Sequence, residues 1–136
     1  MILIDSNILI DVLKKKQNVI AALENYRDEG VGISVLSIYE IKIGIFVLRD
    51  EDPKFNAERR LDELEKLMEM CDVFSVDPEI ASRGSEIIAD LIVKGQIIDP
   101  IDVLIGSTCI CRNGSAVLTQ NKDHFDRIPD LTVLEP

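Results

Sequence analysis

Three acidic residues stand on apolar stretches of the chain. Asp5 closes Met1-Ile-Leu-Ile4, Glu40 lies between Ile38 and Ile41, and Asp102 lies between Ile101 and Val103. An ionised carboxylate in such surroundings needs a partner or a cation. Two carboxylates about 5 Å apart repel by roughly 3 kcal/mol at an effective dielectric near 20, and a divalent cation removes that repulsion. Oxygen donors without Cys or His suit a hard cation, Mg²⁺ or Mn²⁺. Such a cation favours phosphate co-ligands, which makes phosphoryl chemistry the natural reaction class. Each acid also has a purely structural reading. Asp5-Ser6-Asn7 would serve as a strand-to-helix cap. Ser37-Ile-Tyr-Glu40 matches a capping box with Ser37 at the cap. Asp99-Pro-Ile-Asp102 is a similar helix start, where first-turn acids favour the helix dipole. Convergence of all three on one edge separates the two readings.

The elements that must position these acids follow from periodicity. Met1–Ile4 is too short for a helix and reads as a buried strand. Ile8–Leu13 and Val19–Tyr26 read as short helices split by Lys14-Lys15-Lys16-Gln17, and Gly30–Ser34 as a second strand. Ile38, Ile41, Ile45 and Leu48 keep helical spacing from Ser37 to Arg49. After Pro53 an amphipathic helix carries Leu61, Leu64, Leu67, Met68 and Cys71 on one stripe. Asp72–Val76 is a third strand. Asp77-Pro78 and Asp99-Pro100 each pair a capping Asp with a Pro suited to the first turn, and open two more helices. The second of these runs from Ile101 to Cys111. Ala116–Thr119 and Leu131–Leu134 read as strands, with a short turn at Asn121–Phe125. Strands alternating with helices imply an α/β fold, with a mostly parallel sheet covered on both faces. Its strand C-termini line one edge, where ligands of such folds bind.

Composition narrows the function. The chain has 136 residues, enough for one domain with its own core. No apolar run reaches the roughly 18 residues of a membrane span, and no secretory signal opens the chain. Cys71, Cys109 and Cys111 fit neither a disulfide framework nor a zinc site, and with His124 as the sole histidine they read as buried thiols of a cytoplasmic protein. The net charge of −10 argues against a nucleic-acid binder unless acids meet phosphate through cations or a basic partner binds.

The motifs together resemble a known family. Ile2-Leu-Ile-Asp-Ser-Asn-Ile-Leu-Ile-Asp11 is similar to the opening of the PIN-domain ribonucleases. Ser37-Ile-Tyr-Glu-Ile-Lys-Ile-Gly44 resembles their second motif. Asp102-Val-Leu-Ile-Gly-Ser107 resembles the third, with Gly-Ser in place of Ala-Ala. Val117-Leu-Thr-Gln-Asn121, followed by Phe125 and Ile128-Pro129, resembles the fourth. They span nearly the whole chain in family order, and its length is similar to that of the VapC-type toxins of prokaryotic toxin–antitoxin pairs.

The resemblance implies a single PIN-like domain over residues 1–136, a three-layer sandwich with a central sheet of about five strands. It implies an endoribonuclease dependent on Mg²⁺ or Mn²⁺, with RNA as substrate and a cognate antitoxin as partner. Asp5, Glu40 and Asp102 match the family's metal-binding acids, and Ser6 a hydroxyl that assists at the first motif. Many members carry a fourth Asp where this chain has Asn121, although Asn is also common there in the toxin branch. Asp99 or Asp123 is then a spare carboxylate. Ser6, Thr119 and Asn121 would position water or phosphate by hydrogen bonds.

Rival readings remain at this level. A haloacid-dehalogenase-type phosphatase wants Asp-x-Asp after the first strand, but Asp5 is followed by Ser6-Asn7. A non-catalytic PIN-like interaction module would explain the missing fourth Asp. His124 invites a general-base role but reads first as a turn residue beside Phe125, Tyr39 reads as packing, and Lys14–Lys16 read as a solvated run sooner than as an RNA grip. The helix Ile38–Leu48 shows more apolar surface than one core stripe, including Ile43, Phe46 and Val47, and part of it, or of the Ile8–Leu13 helix, is expected to meet a partner or a second copy in a homodimer.

Overall fold

Apolar β-branched runs closed by polar residues become strands, and the stretches between them become helices. The computed structural model describes residues 1–136 throughout. In chain order it has β1 (Ile2–Ile4), α1 (Ser6–Leu13), α2 (Gln17–Glu24), β2 (Val31–Ser34), α3 (Val35–Glu51), α4 (Ala57–Glu69), β3 (Asp72–Phe74), α5 (Pro78–Val93), α6 (Pro100–Cys111), β4 (Ala116–Leu118), α7 (Lys122–Phe125) and β5 (Val133–Leu134). The sheet order is β3-β2-β1-β4-β5, and every neighbouring pair is parallel.

Side chains alternate across the central strands, so each strand feeds two cores. Ile2 and Ile4 of β1, with Ala116 and Leu118 of β4, pack beneath α1–α4 against Ile8, Leu9, Ile38, Ile41 and Leu64. Leu3 and Val117 face the other way, onto Ile87, Leu91, Val103 and Ile105 of α5 and α6 and onto Phe125. The expected three layers are therefore present. Full burial of an Ile or Leu side chain contributes roughly 1.5–3 kcal/mol, so β1 and β4 anchor both cores.

The order of the strands places β1 between its sequence successor β2 and the distant β4. The chain reverses its winding direction there, and in open α/β sheets this switch point is where ligands bind. β1 and β4 run in register, Ile4 beside Leu118, and the Asp5 N–H donates to the Leu118 carbonyl at 3.1 Å. Asp5 and Thr119 are therefore carried side by side off the sheet edge.

Helix starts depart from expectation at one point. Ser34, the last residue of β2, caps α3 by accepting the Leu36 N–H at 3.2 Å. No loop separates strand from helix, so Ser37 lies inside the helix and Ser37–Glu40 is not a capping box. Asp77 and Asp99 do cap, accepting from Ile80 N at 2.9 Å and Ile101 N at 2.8 Å. The third and last strands are shorter than their apolar runs, at Asp72–Phe74 and Val133–Leu134.

Candidate active site

Asp5 is 3% exposed. Its Oδ1 accepts the Ser6 N–H at 2.7 Å, and its Oδ2 accepts the Thr119 hydroxyl at 2.8 Å. Thr119 Oγ1 in turn accepts the Asn121 N–H at 2.9 Å, while Asn7 Oδ1 accepts the Gln120 N–H at 3.2 Å. The loop after β4 is thus tied to the start of α1. Thr119 has no exposed surface, and its hydroxyl donates to Asp5. Ser6 is half-buried beside it.

Asp102 enters from the first turn of α6 and is also buried. Its Oδ2 receives the Asn121 amide Nδ2 at 3.1 Å and contacts His124 Nδ1 at 2.8 Å. The side chain does not turn back to cap its own helix. Glu40 projects from α3, and its Oε1 is buried without any hydrogen-bond partner. Burial raises the pKa of all three carboxyls above the ordinary range. Like charges add to this. Asp102 raises Asp5, while Asp5, Asp102 and Asp99 raise Glu40. Thr119 and Ser6 offset part of the effect at Asp5, Ser6 at Glu40, and His124 at Asp102. Asp5, Glu40 and Asp102 therefore lie near enough on this edge for charge on Asp102 to act on Asp5, and charge on both to act on Glu40.

The spare acids behave differently. Asp99 is exposed, spends Oδ1 on its helix cap, and raises both Glu40 and Asp102. Asp123 is exposed on α7. Asn121 donates to Asp102, a bond that an ionised Asp at this position would lack.

Several residues given a bland reading from sequence, or none, have defined surroundings in the structure. His124 reads from sequence as a turn residue, yet it lies against Asp102. The available signal was its spacing of three from Asn121, which puts both on one side of a helical turn. Asp11 is buried, pairs with Lys16 at 2.7 Å, and accepts from Gln120 Nε2 at 2.5 Å. Lys16 is thus committed, whereas Lys14 and Lys15 stay exposed. Tyr39 is 56% exposed, so it does not pack as expected.

The donor set suits a hard divalent cation on three counts: all donors are carboxylate oxygens, burial and mutual repulsion penalise their ionisation, and Glu40 carries an orphaned buried oxygen. No group of three or more His, Cys, Asp or Glu side chains is drawn together as a preformed metal site. Mg²⁺ retains several waters, so the protein need not supply its whole shell.

The sequence from residue 2 to residue 131 matches the PIN domain model, and the chain belongs to the PIN-domain family. It is 30% identical over 129 residues to Ribonuclease VapC1 of Methanocaldococcus jannaschii, covering 95% of this chain and 82% of that protein. It is 27% identical to the tRNA(fMet)-specific endonuclease VapC of Salmonella typhimurium, covering 96% and 94%. Its fold superposes on VapBC2 of Rickettsia felis bound to a promoter DNA fragment with a TM-score of 0.84, at 24% identity, covering 100% of this chain and 99% of that one. Within the PIN-domain family it is a VapC-type nuclease, a hydrolase. The phosphatase reading gives way to that membership.

Proposed function

We propose that this chain, as one domain over residues 1–136, is an endoribonuclease that uses Mg²⁺, with Mn²⁺ as a substitute, and is the toxin of a VapBC-type pair in the cytoplasm. The observation that carries the reading is the buried, unpartnered Oε1 of Glu40, whose carboxyl feels the charge of both Asp5 and Asp102. Those three residues would hold the ion, which when bound supplies positive charge to a phosphodiester and favours ionisation of an attacking water. The chain's own groups set the stage. Thr119 and the Ser6 N–H fix Asp5, Asn121 fixes one oxygen of Asp102, and the half-buried Ser6 hydroxyl is placed to orient water or phosphate. Attack by water leaves a 5′-phosphate and a 3′-hydroxyl, because the ribose 2′-oxygen takes no part.

An apolar groove of about 240 Å³ runs between α1, α3 and α4, lined by Ile10, Leu13, Ile41, Leu48 and Phe55, with Glu40 among its walls. An antitoxin segment lying there would reach the acids directly, and basic side chains on it would suit them. A second copy would cover the outer face of α3, where Ile43 and Val47 are each 46% exposed. No helix is long and apolar enough to cross a membrane. Its three free thiols suit the reducing cytoplasm.

The decisive experiment is cleavage of a mixed RNA pool by the purified protein and by Asp102→Asn, with and without MgCl₂. The substitution is expected to abolish cleavage and leave the circular dichroism spectrum intact. Cleavage at the wild-type rate by Asp102→Asn would overturn the site assignment.

A further inference from the structure

We propose that His124 is a positioning residue for Asp102, and that it sets which carboxylate oxygen is left free for the cation. The inference rests on the metal-dependent reading of the site. His124 Nδ1 stands 2.8 Å from Asp102 Oδ2, in a contact between residues 22 apart in the chain. This contact is attractive only when Nδ1 carries the ring proton, since its lone pair would otherwise face a carboxylate. Asn121 Nδ2 donates to the same oxygen at 3.1 Å. The two nitrogens lie 2.8 Å from each other, so a bare Nδ1 would instead accept from Asn121 Nδ2, and the ring tautomer decides which contact His124 makes.

Oδ2 is therefore spent on the protein, and Oδ1 receives no donor. A carboxylate held this way has one oxygen locked and the other available, and cannot rotate to exchange them without losing both bonds. Partners of a metal ligand that fix its orientation typically change affinity or activity about 10–100-fold when removed. The imidazole is itself held in place. Phe125, the next residue, is fully buried in the core, and the His124 N–H donates to the Asn121 carbonyl at 3.1 Å. The Asp102 side chain is 10% exposed, so little water competes for the bond.

His124 is the only histidine, so its ring can be read without interference. Nitrogen-15 NMR of the metal-free protein should show a proton on Nδ1. An Nε2–H tautomer with bare Nδ1 would overturn the proposal. Calorimetric titration with MnCl₂ supplies the second readout. His124→Ala should weaken Mn²⁺ binding about 10–100-fold. His124→Asn, whose amide nitrogen can take the place of Nδ1, should recover most of that loss, while His124→Gln should not. Under saturating metal, His124→Ala should lower kcat for RNA cleavage more than it raises KM. Equal Mn²⁺ affinity in wild type and His124→Ala, or no difference between Asn and Gln, would overturn the positioning role. Asp102→Asn serves as the control. If it also binds Mn²⁺ like wild type, the metal reading of the site fails; if it loses binding while His124→Ala does not, only the inference about His124 fails.

Discussion

Asp102 and Asp11 are both buried acids, yet their surroundings push them in opposite directions. Burial dominates at Asp102 and raises its pKa, with His124 and Asn121 offsetting only part. At Asp11 the hydrogen bond from Lys16 dominates and lowers it, helped by Gln120. A carboxyl lowered on folding contributes stability above its unfolded pKa and loses it as pH falls through its folded value. Asp11→Asn is therefore expected to cost about 1 kcal/mol at neutral pH, discounted for the half-exposed Lys16. The gap to wild type should close in acid below the ordinary Asp range, where the native carboxyl is itself protonated. Urea unfolding of both proteins across pH checks this. A gap unchanged by pH would mean that Asp11 acts by packing and not by charge.

At the level of elements, α6 matters because its first turn delivers Asp102. Gly106 lets it sit close to the segment that follows α7. A Cβ added there would stand 2.6 Å from Ile128 Cδ1 and 3.2 Å from Leu131 Cδ2. Those are side-chain tips, but Ile128 is buried and has little room to yield. This explains Gly106 where the resembling motif has Ala. Gly106→Val is expected to destabilise the protein by about 1–3 kcal/mol through overpacking. Thermal melting would measure it, and a melting temperature equal to wild type would show that the segment gives way freely. Ser107, the other departure, is buried and returns its hydroxyl to the Val103 carbonyl at 2.7 Å, so it needs no outside partner.

Across the whole molecule, the acid cluster ties stability to pH and to metal. Asp5, Glu40 and Asp102 all have raised pKa values. Their native forms hold protons more tightly than the unfolded chain does. The contribution of these three groups is thus fully present below the ordinary carboxylate range and is lost as pH rises through their raised values, opposite in sign to that of Asp11. In the presence of a chelator, the melting temperature should decline across that window. Mg²⁺ at 100 times its dissociation constant should restore about 2.7 kcal/mol, and its effect should grow with pH because the ligands must be deprotonated. Melting curves with EDTA or MgCl₂, for wild type and Asp5→Asn, test this. Equal stabilisation of the variant would remove Asp5 from the metal site.

Much of this was legible from local pattern. The alternation of strands and helices, the caps at Asp77 and Asp99, and the apolar settings of Asp5, Glu40 and Asp102 all follow from residues near one another in sequence. Their physical causes are local too: side-chain periodicity, first-turn geometry, and the cost of charge on an apolar run. The start of α3 was not legible. Both Ser34 and Ser37 are competent caps, and the direct passage from buried β2 into the helix favoured Ser34. The bonds that orient the acids were equally hidden. Thr119 reaches Asp5 across 114 residues and Gln120 reaches Asp11 across 109. Both contacts depend on β4 lying beside β1, and nothing in the spacing along the chain encodes that neighbour. The sequence by itself determined the acids and the elements that carry them. Only the tertiary structure decided their partners, because strand order is settled by how the two cores close over the sheet.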